Sequence, residues 1–361
     1  MFVAWKDLRF ARGRFALMGT VVVLITLLVG LLSGLTAGLA RDNTSAITSL
    51  TADRLAFDRP PEGQEVSFTH SSLTEDAWRA WARQPGVTAA EPLGIRTTEA
   101  RAGERTAAVS VFGAEPGSSP APAVEGFRSG RAVLSVRAAE ELGAAPGDPV
   151  RIGDVELTVA AVRGEESYSH TPVVWTSLDD WQRLVPGGGG DAPDQATVVA
   201  LTTNGGADPA AGDRAAGTES RDLDGSLSAL ASHDAENGSL RLMRGFLFTI
   251  SALVVGAFFT VWTIQRGGDI AVLKALGAST PYLLRDALGQ AVLLLGAGTV
   301  LGTALTVPAG RAVAGAVPFV LDPVTLLLPA AVIAGLGLAG AALAVRRITA
   351  VDPLIALGSV R

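Results

Sequence analysis

The chain has no cysteine and almost no lysine. The lack of cysteine excludes disulfides, thiolate nucleophiles and thiolate metal ligands from its chemistry. The only lysines, Lys6 and Lys274, are followed by Asp7 and Ala275, whereas a nucleotide-binding P-loop needs Lys before Ser or Thr, after a glycine-rich turn. The chain therefore has no P-loop of its own, and any ATP-driven work requires another subunit.

Histidine is also scarce, and His70, His170 and His233 are far apart in the sequence. None stands in an HExxH-like pattern, and no catalytic triad can be assembled around them. The sequence therefore predicts no catalytic residue and no metal site. A polar segment, Tyr168 to Pro172, precedes an apolar run. A turn held by side-chain hydrogen bonds is favoured there over a ligand site formed by Tyr168 and His170.

Charge is missing from four long stretches, residues 15–40, 245–265, 287–310 and 323–345. Each is long enough to cross the roughly 30 Å hydrocarbon core of a bilayer as one helix. A secretory signal peptide is the alternative for the first stretch, but its 26 residues exceed the apolar core of about 7–15 residues that such a peptide carries. The sequence predicts a membrane protein with four transmembrane α-helices and with residues 41–240 inserted between the first two.

Basic residues indicate the orientation of these helices. They gather in residues 1–14, 266–286 and 346–361, and Arg and Lys near helix ends stay on the cytoplasmic side. Both termini are therefore expected in the cytoplasm of a bacterial cell, with the insert outside. Residues 1–14 are expected to lie as a basic amphipathic segment against the inner surface of the membrane. The insert carries a net charge of −14 and the remainder +8, which argues against nucleic-acid binding.

The insert has the pattern of an α+β domain. Short β-branched or apolar runs bounded by Gly, Pro and Asp predict strands: Ser110–Gly113, Val150–Ile152, Val155–Val162, Val173–Thr176 and Ala196–Leu201. Helical spacing predicts helices at Thr74–Arg83 and Ser135–Leu142. Surface loops are expected at Pro116–Pro122, Gly187–Gly190 and Asn204–Thr218, where Gly, Ala, Asp and Pro dominate.

Three motifs resemble those of a known family. In the insert they are Val133-Leu134-Ser135, Ala138, Glu140, Leu142-Gly143, Pro146-Gly147-Asp148, Val150, Ile152-Gly153 and Leu157 to Val162. The other two are residues 265–279, QRGGDIAVLKALGAS, and residues 351–357, VDPLIAL. Together with the four-helix plan they resemble the FtsX-like or MacB-like permeases of ABC transporters, also called type VII. Gly267 and Gly268 depart from the family pattern, which often has basic residues there.

The resemblance implies partners for this chain. It implies a homodimeric permease without a cofactor of its own, driven by a cytoplasmic ABC ATPase dimer that binds ATP and Mg. In the family, the segment after the second helix docks on that ATPase. Here it would use a set of charged and apolar residues: Arg266, Asp269, Ile270, Leu273, Lys274 and Leu276.

The same segment has an amphipathic pattern of its own. Gly277 can end a short helix, and Thr280 as N-cap before Pro281 can start the next. The alternative to docking is a connector that lies flat on the lipid surface.

The first membrane helix carries a ridge of small residues at Gly30, Gly34 and Gly38. Such a ridge lets a second helix backbone approach closely. Because the resemblance places the first two helices near the dimer interface, the ridge is predicted to pack across or beside that interface. Packing within one chain is the alternative.

The sequence is compatible with several transported compounds. Among family members with this compact four-helix plan, residues 262–279 are similar to the cytoplasmic stretch of the HrtB-type haem exporters of Gram-positive bacteria. Haem needs an axial His, Met, Tyr or Cys ligand. Met18 and Met243 are the candidates in or beside the apolar stretches, and Arg241 or Arg244 could pair with a propionate. Lipids, peptides and hydrophobic drugs fit an apolar groove equally well. The alternative function is an FtsX-like signalling subunit that activates an extracytoplasmic protein without transport.

Overall fold

The structure is a computed structural model that describes residues 12–185, 194–231, 233–265, 272, 276–315 and 317–349. The chain divides into two compact units. The inserted domain comprises Ala40–Asn237, and the helical unit comprises Met1–Leu39 together with Gly238–Arg361.

The helices are α1 (Arg12–Thr48), α2 (Glu75–Ala82), α3 (Val136–Leu142), α4 (Leu178–Leu184), α5 (Pro209–Ala216), α6 (Leu223–Ser226), α7 (His233–Gln265), α8 (Thr280–Val313) and α9 (Pro323–Thr349). The strands are β1 (Arg54–Asp58), β2 (Leu73–Thr74), β3 (Val87–Ala102), β4 (Arg105–Ala114), β5 (Arg131–Leu134), β6 (Pro149–Ile152), β7 (Val155–Val162), β8 (Ser167–Tyr168), β9 (Thr171–Ser177), β10 (Gln195–Ala196), β11 (Val198–Thr203) and β12 (Thr218–Asp222).

Four helices are long and apolar enough to cross a membrane, with spans Ala16–Thr48, Ala235–Trp262, Arg285–Val313 and Pro323–Leu343. The predicted plan of four helices with an α+β domain after the first is confirmed. The first two helices extend beyond their uncharged stretches, since α1 continues through Arg41 to Thr48 and α7 already begins at His233. Charge marks where a helix leaves the lipid, whereas the backbone stays helical until a residue or a contact ends it.

The inserted domain is built on a mixed ten-stranded sheet, whose main path runs β12-β1-β11-β3-β4-β9-β5-β7-β6. The β4–β9 and β5–β7 pairs are parallel, and the other pairs are antiparallel. Strand β3 has 16 residues. It pairs with β11 near its start and with β6 near its end, so that one strand joins both halves of the sheet.

Most predicted elements of the insert occur where the sequence indicated. Helix α3 follows Ser135, whose side chain accepts a hydrogen bond from Ala138 N, and ends at Gly143 in the left-handed conformation (φ 64°). The predicted strand Ala196–Leu201 is divided between β10 and β11, which belong to different sheets. Two further details differ from the predictions. The expected loop at Asn204–Thr218 contains α5, because Asp208 caps two backbone amides there. The N-cap of α8 is Ser279 rather than Thr280.

Candidate functional site

Three segments of the inserted domain meet where the two long helices enter it. They are the last turns of α1, the turn between β8 and β9, and the first turn of α7. Backbone hydrogen bonds hold the turn on α1: Ser169 N donates to Asn43 O at 3.0 Å and His170 N donates to Asp42 O at 3.2 Å. Ser45 adds a side-chain link, because its Oγ accepts from Ser167 N at 2.9 Å. The turn is therefore attached to the end of α1 by backbone and side-chain hydrogen bonds.

The turn has an uncommon backbone. Ser169 and His170 have φ values of 49° and 63°, and among the described residues they are the only non-glycine residues with positive φ. Left-handed backbone is uncommon for residues other than glycine, although asparagine, aspartate and histidine adopt it more often than the rest. In this conformation the imidazole of His170 lies between two helices, and its ring contacts a carboxylate on each of them.

The side chains around His170 form a polar cluster. His170 Nδ1 lies 3.2 Å from Asp42 Oδ2 on α1, and His170 Nε2 lies 3.2 Å from Glu236 Oε2 on α7. Asn43 Nδ2 donates to the same Glu236 oxygen at 3.0 Å. Arg137 from α3 donates to Asp42 Oδ1 at 2.7 Å. We call these five residues the helix-end cluster.

Electrostatics keep Arg137 charged in this cluster. Burial alone lowers the pKa of Arg137, but its hydrogen bond to Glu141 and the negative charges of Asp42 and Glu141 outweigh burial, so that its pKa is raised. The guanidinium thus supplies a permanent positive charge to Asp42. Among the described residues, His170 is the only basic side chain in contact with Glu236.

Tyr168 has a different environment from His170 although they are two residues apart. Its ring contacts Phe68 and Phe112 edge to face, with centroid distances of 5.7 and 5.6 Å, and burial raises the pKa of its phenol. The Tyr168 carbonyl accepts from Thr171 Oγ1 at 2.8 Å. Segment 168–172 is therefore a turn held by hydrogen bonds, as favoured from the sequence, and Tyr168 anchors it in the core.

Tyr168 also borders a cavity of about 470 Å³ within the inserted domain. Its lining includes Trp181, whose indole Nε1 is buried and has no hydrogen-bond partner among the described residues. The cavity leaves a ligand site at Tyr168 open as a prediction. It does not include His170, so that the two predicted ligand residues do not share one site.

The candidate haem residues of the helical unit occupy three environments. Met18 is 3% exposed and packs in the apolar cluster that contains Val22 and Trp262. Met243 is 54% exposed on α7. Arg244, the next residue on α7, donates to Thr36 Oγ1 at 2.6 Å. Met18 is thus buried in side-chain packing, whereas Met243 is accessible.

The glycine ridge of α1 is occupied by the same chain. A Cβ on Gly30 would lie 2.7 Å from Thr306 Oγ1 of α8. Gly34 faces the ring of Phe319, and Gly38 faces the carbonyl of Pro318. Contacts within the helical unit therefore account for the three glycines, which favours the alternative of intrachain packing over the dimer interface.

Most of the predicted ATPase-docking residues, namely Arg266, Asp269, Ile270, Leu273 and Lys274, lie outside the described residues. Leu276 is described and is 79% exposed, and Gly277 after it has φ 95°, as a residue that ends a helix requires. An exposed leucine at this position is available for a partner. Docking stays a prediction.

Sequence reasoning missed four members of the helix-end cluster: Asp42, Asn43, Arg137 and Glu236. Their position in the sequence was the available signal. Asp42 and Asn43 follow the first apolar stretch, and Glu236 precedes the second. No group of three or more residues that could hold a metal ion occurs in the described part of the chain.

Comparison with known proteins identifies the class of protein to which this chain belongs. The MacB-like periplasmic core domain matches residues 16–218, and the FtsX-like permease C-terminal domain matches residues 242–353. The chain therefore belongs to the MacB-like and FtsX-like family of ABC transporter permeases, which are multi-pass membrane proteins. The resemblance inferred from its three motifs is confirmed.

Relatives extend over most or all of the chain. The "Putative hemin transport system permease protein HrtB" of Staphylococcus epidermidis is 24% identical over 368 residues, covering 99% of both chains. A Staphylococcus haemolyticus protein of the same name is 24% identical over 366 residues, again with 99% of both chains covered. An uncharacterised ABC transporter permease of Mycobacterium tuberculosis is 27% identical over 282 residues, covering 77% of this chain and 76% of the relative.

Solved structures resemble the chain more weakly. The extracellular domain of the ABC-type transporter YknZ from Gram-positive bacteria aligns with a TM-score of 0.34 and 17% identity, over 46% of this chain and 90% of that domain. The periplasmic region of MacB from Actinobacillus actinomycetemcomitans aligns with a TM-score of 0.35 and 10% identity, over 49% and 92%.

Proposed function

We propose that this permease subunit extrudes a hydrophobic or amphipathic compound by mechanotransmission, driven by a separate ATPase subunit. The observation that carries this proposal is the continuity of α1 and α7. Each is one uninterrupted helix from an apolar span into the inserted domain, with 37 and 33 residues. At about 1.5 Å per residue such helices exceed the bilayer core. They can therefore pass a displacement of the membrane segment into the domain.

We propose haem as the transported compound. Support comes from full-length relatives whose names specify hemin transport and from side chains on α7. Met243 is exposed and can offer a thioether ligand. Arg241 is exposed and has no partner among the described residues, so that it can pair with a propionate. Arg244 is less available because it already donates to Thr36.

The test is a haemin titration of the permease with its ATPase in lipid nanodiscs, following the Soret band and the ATPase rate together. Haem export predicts a saturable shift and a changed rate, both weakened by Met243→Leu. The matched control is Phe246→Leu, another exposed apolar residue on the same helix. No shift beyond that of empty nanodiscs, with no rate change, would contradict haem as cargo.

A second experiment tests mechanotransmission itself. Ala40→Pro places a helix breaker where α1 passes from one unit to the other, and Ala40→Ser keeps the helix. We expect the proline variant to retain basal ATP hydrolysis and to lose export, while the serine variant keeps both. Export that survives the proline variant would refute the coupling route through α1.

The ATPase partner and the second copy of the chain are part of the proposal. Leu276→Glu places a charge on the exposed leucine of the predicted docking segment, and Leu276→Met is its control. We expect the charged variant alone to lose co-purification with the ATPase. Mass photometry of the complex tests the homodimer. If the chain is instead a signalling subunit, the ATPase rate should respond to an extracytoplasmic protein and not to haemin.

A further inference from the structure

The turn between β8 and β9 is attached in different ways to α1 and to α7. Backbone hydrogen bonds from Ser169 and His170 hold it on α1. Towards α7 it has a side-chain contact, from His170 Nε2 to Glu236 Oε2 at 3.2 Å. The first attachment does not depend on the state of any side chain. The second depends on which ring nitrogens of His170 carry a proton.

We infer that His170 is a positioning residue that holds the inserted-domain ends of α1 and α7 together when its imidazole is charged and weakens that connection when it is neutral. Both ring nitrogens lie 3.2 Å from a carboxylate oxygen, on Asp42 and on Glu236. A neutral imidazole has one N–H and can donate to only one of them, leaving a lone pair towards the other. The imidazolium donates to both.

The charges that face His170 favour a response at α7. From α1 comes Asp42, which already pairs with the permanent charge of Arg137 on α3, and Glu141 pairs with Arg137 in turn. From α7 comes Glu236, which otherwise has a neutral donor, Asn43. Loss of the proton from His170 thus leaves Asp42 paired and leaves Glu236 without a cationic contact among the described residues.

Two further features suit His170 to this role. Its side chain is 37% exposed, so that the medium reaches the imidazole ring. A second histidine, His233, lies at the start of α7, but it contacts Asn237 on its own helix. The inference goes beyond the proposed function, because a proton-dependent link between the helices does not depend on which cargo is moved.

The backbone of His170 supplies a clean substitution. At φ 63° asparagine is well tolerated, so that His170→Asn keeps the turn and removes the titrating ring. Glu236→Gln removes the second carboxylate charge and leaves the turn untouched. His70→Asn is the matched control, since His70 is an exposed histidine outside the helix-end cluster. His233→Asn tests the other histidine near the site.

The experiment measures the separation of the two helix ends in the full-length chain in nanodiscs. Nitroxide labels are placed at the exposed positions Arg41 and Ala235 through Arg41→Cys and Ala235→Cys, and the chain has no other cysteine to label. Dipolar EPR then gives the distance distribution between about pH 5.5 and pH 8.5, the range in which a histidine side chain titrates.

We expect a narrow short-distance population at acidic pH and a rise of roughly threefold in a longer population at alkaline pH, as the charged link is lost. His170→Asn and Glu236→Gln should each abolish the pH dependence, while His70→Asn and His233→Asn should keep it. The inference is overturned if the unmodified cluster gives the same distances at both pH values, or if the response survives in either of the first two variants. Should His170→Asn fail to fold, Glu236→Gln decides alone. Neither haemin nor ATP is present in this experiment. A missing pH response therefore contradicts the link through His170 without bearing on haem export.

Discussion

The two units of the chain place their apolar and polar side chains by opposite rules. Of the large hydrophobic side chains that are exposed in the described part of the chain, Val136 is the only one in the inserted domain, and all the others are in the helical unit. Leu253 and Val324 are 69% and 70% exposed there. A water-facing surface would not tolerate so many. Lipid is the natural solvent for that outward face, whereas the inserted domain has its apolar residues inside.

Polar side chains differ in the same way. In the helical unit the hydroxyls of Thr299, Thr306 and Ser251 donate to carbonyls of their own helix four residues earlier. Arg244, next to the start of its apolar stretch, is an exception that reaches Thr36 on another helix. In the inserted domain polar side chains join distant segments, as Trp81 Nε1 does with Thr218 Oγ1 and Ser110 Oγ does with Thr171 Oγ1. Lipid requires each helix to satisfy itself, while a domain in water can use polar side chains to fix its tertiary structure. The following predictions test this contrast, from the largest expected effect to the smallest.

Removal of the largest fully buried side chain should destabilise the inserted domain most. Trp81 is 1% exposed, and its ring lies over Gly212. Trp81→Ala should cost about 3–5 kcal/mol of unfolding free energy through the cavity it leaves. Peptide-resolved hydrogen exchange on the full chain gives the local loss, and Trp81→Phe, which retains most of the volume, should lose clearly less. Equal losses in both would assign the effect to the indole N–H instead.

A buried carboxylate should matter almost as much. Asp180 is 0% exposed and accepts from Ser129 Oγ at 3.0 Å and Gly130 N at 2.7 Å. Asp180→Ala leaves these donors without their acceptor and should cost roughly 2–4 kcal/mol, measured by the same hydrogen exchange. The adjacent Asp179 is exposed, and Asp179→Ala should change little. A comparable loss in both variants would show that helix-end charge, and not burial, is responsible.

Close packing of small residues is the corresponding feature of the helical unit. Gly34→Leu forces a side chain against Phe319 and should cost about 1–3 kcal/mol, seen as a lower melting temperature in detergent micelles. Gly296 has open space around its Cβ position, so that Gly296→Leu should melt like the parent protein. An unchanged melting temperature in Gly34→Leu would contradict the intrachain contact.

One pair of substitutions directly compares side-chain hydrogen bonds within one helix and those between distant segments. Ser110 and Thr306 are both 0% exposed. Ser110→Ala breaks a tertiary bond and should cost about 1–2 kcal/mol. Thr306→Val removes only a bond to a carbonyl of its own helix and should cost clearly less. Thermal unfolding of each variant, read by hydrogen exchange in its own unit, makes the comparison. The reverse order would refute the contrast.

The smallest effect concerns the pH dependence of the inserted domain. Burial raises the pKa of Glu91, Ser119 N opposes this with a 2.6 Å hydrogen bond, and the charge of Glu115 raises it further. A carboxyl with a raised folded-state pKa contributes stability below its unfolded value, and that contribution is lost as the pH rises through the folded value. Local stability of the unmodified domain should therefore fall slightly over that range. Glu91→Gln should remove this fall, and an unchanged profile in the variant would contradict it.

The sequence predicted the membrane plan well because charge and length decide it. The four uncharged stretches correspond to four helices, and the β-branched run Val155–Val162 is a strand over the same residues. Strand β3 was missed because Pro92 and four charged residues interrupt its apolar pattern. The site was only half predictable. The turn at His170 could be recognised, but its partners Asp42 and Glu236 are 128 and 66 residues away in the sequence, and only the fold brings them together.

The edge of the sheet has a mechanical consequence. Strand β1 follows α1 after a short connection, and β12 leads through the short helix α6 to α7. The two strands are antiparallel neighbours in which Arg54 stands opposite Asp222. Both chain connections therefore leave the sheet at the same end of one strand pair. A pull that moves them together loads the pair as a unit. A pull that spreads them loads the inter-strand hydrogen bonds one after another, as a zipper opens, which is the weak direction of a hairpin-like pair. The domain thus resists common displacement and yields first to splaying.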